Sequence, residues 1–195
     1  MGLLRRRRLT LILIFLGALF FYFVPWEMPA ALVRTKQVDE IYGFLHLFTG
    51  PNEEGPTVTT TVLQLDPFSP NELIMYAAGD AKLSWKKEQT RIDKQYPVVV
   101  FSKTYCPYSK RAKALLEKYD LQPPPRIVEV DLREDSNDVK QFLARLTGQG
   151  TFPNVVVKGK SIGGSSELQE LHNTEKLKAL FEEAGVKVKG DPRSV

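Results

Sequence analysis

Residues 97–119 read Pro-Val-Val-Val-Phe-Ser-Lys-Thr-Tyr-Cys-Pro-Tyr-Ser-Lys-Arg-Ala-Lys-Ala-Leu-Leu-Glu-Lys-Tyr. Val98 to Phe101 is an unbroken apolar run of mostly β-branched residues, which suits a strand buried on both faces, as in a parallel sheet. A short loop leads to Cys106. From Ser109 to Tyr119 the apolar positions Ala112, Leu115 and Leu116 fall at helical spacing, and Pro123 to Pro125 stop that helix. Strand, loop and helix thus place Cys106 where a helix begins. The free N–H groups and the positive end of the helix dipole favour a thiolate there. Pro107 fits the first helical position because its missing N–H would be unpaired anyway. Lys103 adds a positive charge three residues earlier.

The same reading extends to the C-terminus. Ile127 to Val130 is a second strand, Phe142, Leu143 and Leu146 lie on a second helix ending near Gly148, and Asn154 to Val157 is a third strand. Ser161 and Ile162 form a short fourth strand turned back by Lys158-Gly159, and Leu168, Leu171, Leu177, Leu180 and Phe181 mark closing helices. The order β-α-β-α-β-β-α describes an α/β fold: a four-stranded mixed sheet flanked by helices, entered through a right-handed βαβ crossover.

The chain has 195 residues and a single cysteine, so neither an intrachain disulfide nor a four-cysteine zinc site is available. A lone thiol can be a buried small hydrophobe, a nucleophile or one metal ligand. The helix start, the preceding Lys103 and the following Pro107-Tyr108 favour the nucleophile. The net charge is +4, and Arg5 to Arg8 account for it. The body carries no basic stripe, and no nucleic-acid partner is expected.

Towards the N-terminus, residues 1–8 form a basic segment and Leu9 to Val24 is uncharged. Sixteen residues of helix reach about 24 Å at roughly 1.5 Å per residue, short for a bilayer core of about 30 Å unless the span runs on through Pro25 and Trp26. The expectation is a signal-anchor over 9–26, with Arg5 to Arg8 cytosolic and the remainder luminal; a cleaved signal peptide is the competing reading. Residues 27–90 read as a luminal stem and linker. Within them Val33 to Phe48 suggests an amphipathic helix, Gly50 to Pro70 a linker, and Asn71 to Lys94 a second helix interrupted by Gly79. The folded domain is expected over 91–186, with a flexible tail over 187–195.

Three motifs in order carry a resemblance to a known family. Lys103-Thr104-Tyr105-Cys106-Pro107-Tyr108-Ser109 resembles the glutaredoxin active-site loop, with Ser109 where dithiol members carry a resolving cysteine. Thr151-Phe152-Pro153 resembles the family's Thr-Val-Pro loop, whose proline is cis. Gly163-Gly164-Ser165-Ser166 resembles the segment that holds the γ-glutamyl end of glutathione. With the basic N-terminus and apolar span, the whole resembles the fungal membrane-bound monothiol glutaredoxins of the early secretory pathway.

The resemblance implies a thioredoxin-like fold and a glutathione-disulfide oxidoreductase acting by a monothiol mechanism in redox homeostasis and the oxidative-stress response. It implies Cys106 as nucleophile and glutathionylated protein thiols as substrates. Glutathione would meet Lys103 and Lys140 at its glycine carboxylate, the backbone of Phe152 beside Pro153 at its cysteinyl unit, Tyr108 along the groove, and Gly164, Ser165 and Ser166 at its γ-glutamyl end. The alternative is a homodimer bridging a [2Fe-2S] cluster through Cys106 of each chain and two glutathione thiols. It also implies a single-pass type II membrane protein of the endoplasmic reticulum or Golgi. Pro107-Tyr108 departs from the Cys-Gly-Phe-Ser loop of the iron–sulfur-carrier class, and favours the catalytic reading.

Overall fold

The buried run Val98–Ser102 (β1) lies at the heart of a four-stranded sheet of order β3-β1-β4-β5. It runs parallel to β3 (Arg126–Glu129), pairing Val99 with Arg126 through Ser102 with Glu129. On its other side β4 (Asn154–Val157) runs antiparallel, and β5 (Lys160–Ser161) closes the sheet antiparallel to β4. The β4–β5 turn has Lys158 at φ 44° and Gly159 at φ 73°. Two positive φ angles in succession are what a tight hairpin turn matching the strand twist requires. The computed structural model describes residues 38–50, 76 and 82–191. The expected span over 9–26 and the linker over Gly50 to Pro70, apart from Gly50 itself, lie outside the described residues. No helix among the described residues is long and apolar enough to cross a membrane.

Because β1 alternates its side chains, it feeds two cores. Val98 and Val100 face a layer made by α3 (Pro107–Tyr119), α5 (Ser165–Asn173) and α6 (Lys176–Glu183), with Leu115, Leu116, Leu168, Leu177 and Phe181 buried there. Val99 and Phe101 face α1 (Glu40–Thr49), α2 (Trp85–Gln95) and α4 (Ser136–Thr147). The mixed sheet flanked by helices agrees with the sequence reading.

Three elements differ from it. The helix read as part of a stem is α1, and it belongs to the domain: all described residues fall in a compact unit beginning at Val38, well before the expected boundary at 91. Phe44 is fully buried, its ring 4.9 Å from Phe48 and 5.5 Å from both Phe101 and Phe142. Polar ties fix both ends of α1. Arg145 pairs with Glu40, which also accepts from the Tyr76 hydroxyl at 2.7 Å. At the other end Arg126 donates to the Phe48 carbonyl (3.2 Å) and Arg91 to the Thr49 carbonyl (3.1 Å). His46 and Arg91 both pair with the buried Glu88 of α2 at 2.5 Å. Helical spacing shows that one face of α1 is apolar; it does not show what covers that face.

The helix read over Asn71 to Lys94 is seen from Trp85, and most of its first half lies outside the described residues. The expected flexible tail instead begins as a strand. Lys187–Val188 (β6) pairs antiparallel with Leu121–Gln122 (β2), and Lys189 and Gly190 donate to the carbonyls of Asp120 and Tyr119. Two-residue strands are too short to leave a period-2 signal.

Candidate functional site

Cys106 is the N-cap residue of α3, with Pro107 at the first helical position. Its carbonyl accepts the Lys110 N–H (3.0 Å), and its own N–H donates to the Lys103 carbonyl (3.2 Å). The thiol is partly exposed. Ser109, one turn into the helix, is fully buried, and its hydroxyl oxygen accepts the Lys103 N–H at 3.2 Å. Burial pushes the Cys106 thiol pKa up, but the N–H and hydroxyl of Ser109, the N–H of Tyr108 and the charge of Lys103 outweigh it and hold the pKa below the ordinary thiol value. The Ser109 hydroxyl therefore accepts from the loop and donates to the thiolate.

Ser109→Ala is accordingly expected to raise the Cys106 pKa, read as an upward shift in the midpoint of the pH profile of iodoacetamide alkylation. A thiol is an acid, so its depressed folded pKa stabilises the reduced fold above the ordinary thiol range. That contribution is lost as pH falls through the folded value.

The loop preceding Cys106 is pinned from the 3-10 turn Val130–Leu132 that follows β3. The N–H and hydroxyl of Thr104 donate to the carboxylate of Asp131 at 2.9 and 2.5 Å. Those bonds, with the Asp131 N–H and the Lys103 charge, outweigh burial and hold Asp131 below the usual carboxylate range. Opposite the thiol stands the loop 151–153. Its Phe152–Pro153 bond is cis, as the sequence led us to expect, and the Phe152 carbonyl lies 3.8 Å from Cys106 Sγ. Lys103 Nζ sits 5.2 Å from the centre of the Phe152 ring.

The third motif abuts this loop. A Cβ on Gly164 would come within 2.8 Å of Gln149 Nε2 and 3.0 Å of the Pro153 carbonyl, so only glycine allows this approach without displacing its neighbours. Gln149 Nε2 donates to the same carbonyl (3.0 Å), and the Gly164 N–H donates to Glu167 (2.8 Å), closing the start of α5. Ser165 and Ser166 then open α5 and line a groove of about 350 Å³ with Arg111, Gln169, Glu170 and Asn173. Tyr108, half-exposed, carries the Arg111 guanidinium 4.7 Å above its ring, which joins it to that groove.

The structure thus brings Cys106, Lys103, Phe152, Pro153 and Gly164 together, with Tyr108, Ser165 and Ser166 alongside. Lys140 stands exposed on α4 and forms no hydrogen bond or ion pair with any of them. Sequence reasoning missed Asp131, Gln149, Glu167 and Arg111. Two had readable signals: Asp131 follows the carboxyl end of a strand parallel to β1, where α/β sheets gather their sites, and Glu167 sits three residues into a helix after its cap.

The glutaredoxin family model matches residues 98–162. Monothiol glutaredoxin-7 of Saccharomyces cerevisiae is 41% identical over 105 residues, which cover 53% of this chain and 52% of the yeast protein. An uncharacterized monothiol glutaredoxin of Caenorhabditis elegans is 34% identical over 122 residues, covering 57% of this chain and 83% of the relative. The chain belongs to the glutaredoxin family. Among solved structures, a buckwheat glutaredoxin–glutathione complex is 37% identical, with 51% of this chain and 88% of that one aligned at a TM-score of 0.45. The glutaredoxin match spans about half the length of the yeast relative. The family model takes in the Cys106 and Phe152-Pro153 motifs and ends at residue 162, just before Gly163-Gly164.

Proposed function

We propose that this glutaredoxin is a glutathione-dependent thiol–disulfide oxidoreductase acting by a monothiol route. The observation that carries the reading is a single thiol of lowered pKa at a helix start, facing the Phe152 carbonyl, with a serine in the resolving position. The Cys106 thiolate attacks the glutathione sulfur of a glutathionylated protein. The old S–S bond breaks, a Cys106–glutathione disulfide forms, and the protein thiolate leaves and takes a proton. A second glutathione thiolate attacks the glutathione sulfur of that adduct, releasing oxidised glutathione and restoring the Cys106 thiolate. Ser109 cannot perform that second attack.

In this reading the bound cysteinyl unit pairs with the Phe152 backbone beside Pro153 in strand fashion. Lys103 meets the glycine carboxylate, and Tyr108 lines the groove. Gly164, Ser165 and Ser166 hold the γ-glutamyl end at the start of α5, where free N–H groups favour an anion. Lys140 is assigned to the glycine carboxylate on the resemblance alone. That the two relatives above are named monothiol glutaredoxins supports the route.

The reading includes a place in the cell: a single-pass type II protein of the endoplasmic reticulum or Golgi, its redox domain luminal. Arg5 to Arg8 ahead of the uncharged 9–24 stretch support it.

A glutathione-coupled assay on the full chain tests the function. Steady reduction of a glutathionylated protein by a colourless preparation is expected. A brown preparation without turnover would point instead to the cluster-bridged dimer, since a [2Fe-2S] cluster needs four thiolates and one chain supplies one.

A further inference from the structure

Three large apolar side chains are more than half exposed among the described residues: Leu132 at 74%, Tyr105 at 66% and Tyr108 at 52%. Single exposed apolar residues are ordinary on any surface. These three, however, lie on the Cys106 loop or next to the residue that pins it. Tyr105 and Tyr108 flank Cys106 in sequence. Leu132 follows Asp131, whose carboxylate holds the N–H and hydroxyl of Thr104, the residue before Tyr105. A shared hydrogen bond therefore sets Leu132 beside the loop of the nucleophile.

Tyr108 has a role in the glutathione groove. Leu132 and Tyr105 do not. The fold does not use Leu132 either: its neighbour Val130 supplies the buried contact of that turn and Asp131 the polar one. The hydroxyl of Tyr105 accepts from Lys103 Nζ at 3.4 Å. An apolar ridge with no internal task, beside a nucleophile that must meet other proteins, suits contact with a partner.

Charge identifies the partner's chemistry. Lys103, beside Tyr105, and Lys110, in the first turn of α3, stand on either side of Cys106, and neither forms an ion pair among the described residues. The first turn of α3 has no acidic residue. The rim is cationic and apolar together, so its complement is acidic and apolar.

We propose that Leu132 and Tyr105 form a docking ridge for the protein half of the mixed disulfide. The client segment it fits is acidic and carries an apolar side chain close to its glutathionylated cysteine. This deepens the oxidoreductase reading and rests on it: glutathione occupies the groove towards Ser165, and the client's chain meets the ridge.

The test uses the full chain and three disulfides of glutathione. One is with an acidic peptide bearing leucine beside its cysteine. The second has lysine for each acid and serine for the leucine. The third is with 2-mercaptoethanol. The wild type is expected to favour the acidic peptide over the basic one by about tenfold in kcat/KM. Leu132→Ser is expected to lower kcat/KM for the acidic peptide about threefold to fivefold and leave the mercaptoethanol disulfide unchanged. Lys110→Glu is expected to narrow or reverse the preference between peptides, and added salt to narrow it.

Equal rates with both peptides, or an equal loss on the peptide and the small disulfide in Leu132→Ser, would overturn the ridge while leaving the oxidoreductase standing. Absence of turnover with all three would remove the oxidoreductase reading. Docking is then read by fluorescence anisotropy of the reduced acidic peptide on the Cys106→Ser chain. Adding Leu132→Ser should weaken binding by the same factor, and an unchanged affinity would sink the ridge. Sedimentation in which Leu132→Ser converts a dimer to a monomer would assign the ridge to a second copy and overturn the client proposal.

Discussion

The full chain carrying Cys106→Ser is expected to lose glutathione-dependent disulfide reduction by about a thousandfold or more, the scale seen when a covalent nucleophile is removed. Three features of the molecule set that size. The chain holds one cysteine, so no neighbouring thiol can substitute. A serine hydroxyl is not ionised at neutral pH, and the hydrogen bonds from Ser109 and Tyr108 that stabilise a thiolate have no comparable anion to act on. The substitution is also conservative for folding, because serine is close in size to cysteine and is itself a favoured residue at the N-cap of a helix such as α3. The melting temperature should therefore stay close to wild type while activity vanishes. Activity of Cys106→Ser within a few fold of wild type would remove Cys106 from the reaction.

Phe44→Ala is expected to destabilise the domain by about 3–5 kcal/mol, the range for emptying a fully buried aromatic site. Phe44 is sealed from solvent and packs on rings from α1 itself, β1 and α4. The sheet face it covers carries Phe101, at the middle of the fold. Urea unfolding in detergent, followed by tryptophan fluorescence, should show a lower midpoint with an unchanged slope. Were α1 a stem helix independent of the domain, the same substitution would leave the unfolding of the sheet unmoved.

That contrast shows where the sequence is readable. Val98 to Phe101 and the helix start at Cys106 are local signals. Each follows from residue types within one or two turns of chain, and each agrees with the fold. Pro123 to Pro125 do not end α3: it stops at Tyr119, where Asp120 turns left-handed at φ 41°, and β2 precedes the prolines. Phe152-Pro153 and Gly163-Gly164 were found as motifs, and the structure supplies the reason for one of them: Gly164 lies where a Cβ would meet Gln149 and the Pro153 carbonyl. The place of α1 was not readable, because about 50 residues separate Phe44 from β1, and an apolar stripe does not name its partner. The Thr104–Asp131 bond spans 27 residues, and the β2–β6 pair joins segments far apart in sequence, so both escape local pattern. Lys140 shows the converse. A resemblance assigned it a role, and the structure leaves it exposed on α4 without a bond to the other site residues.

In the proposed route Cys106 alone carries glutathione between two attacks. Mass spectrometry of the full chain tests it most directly, after incubation with oxidised glutathione and again after reduced glutathione is added. One glutathionyl group per chain is expected, located on the peptide containing Cys106, and it should disappear on reduction with release of oxidised glutathione. A chain that stays unmodified under oxidised glutathione, or an adduct that reduced glutathione leaves in place, would contradict it.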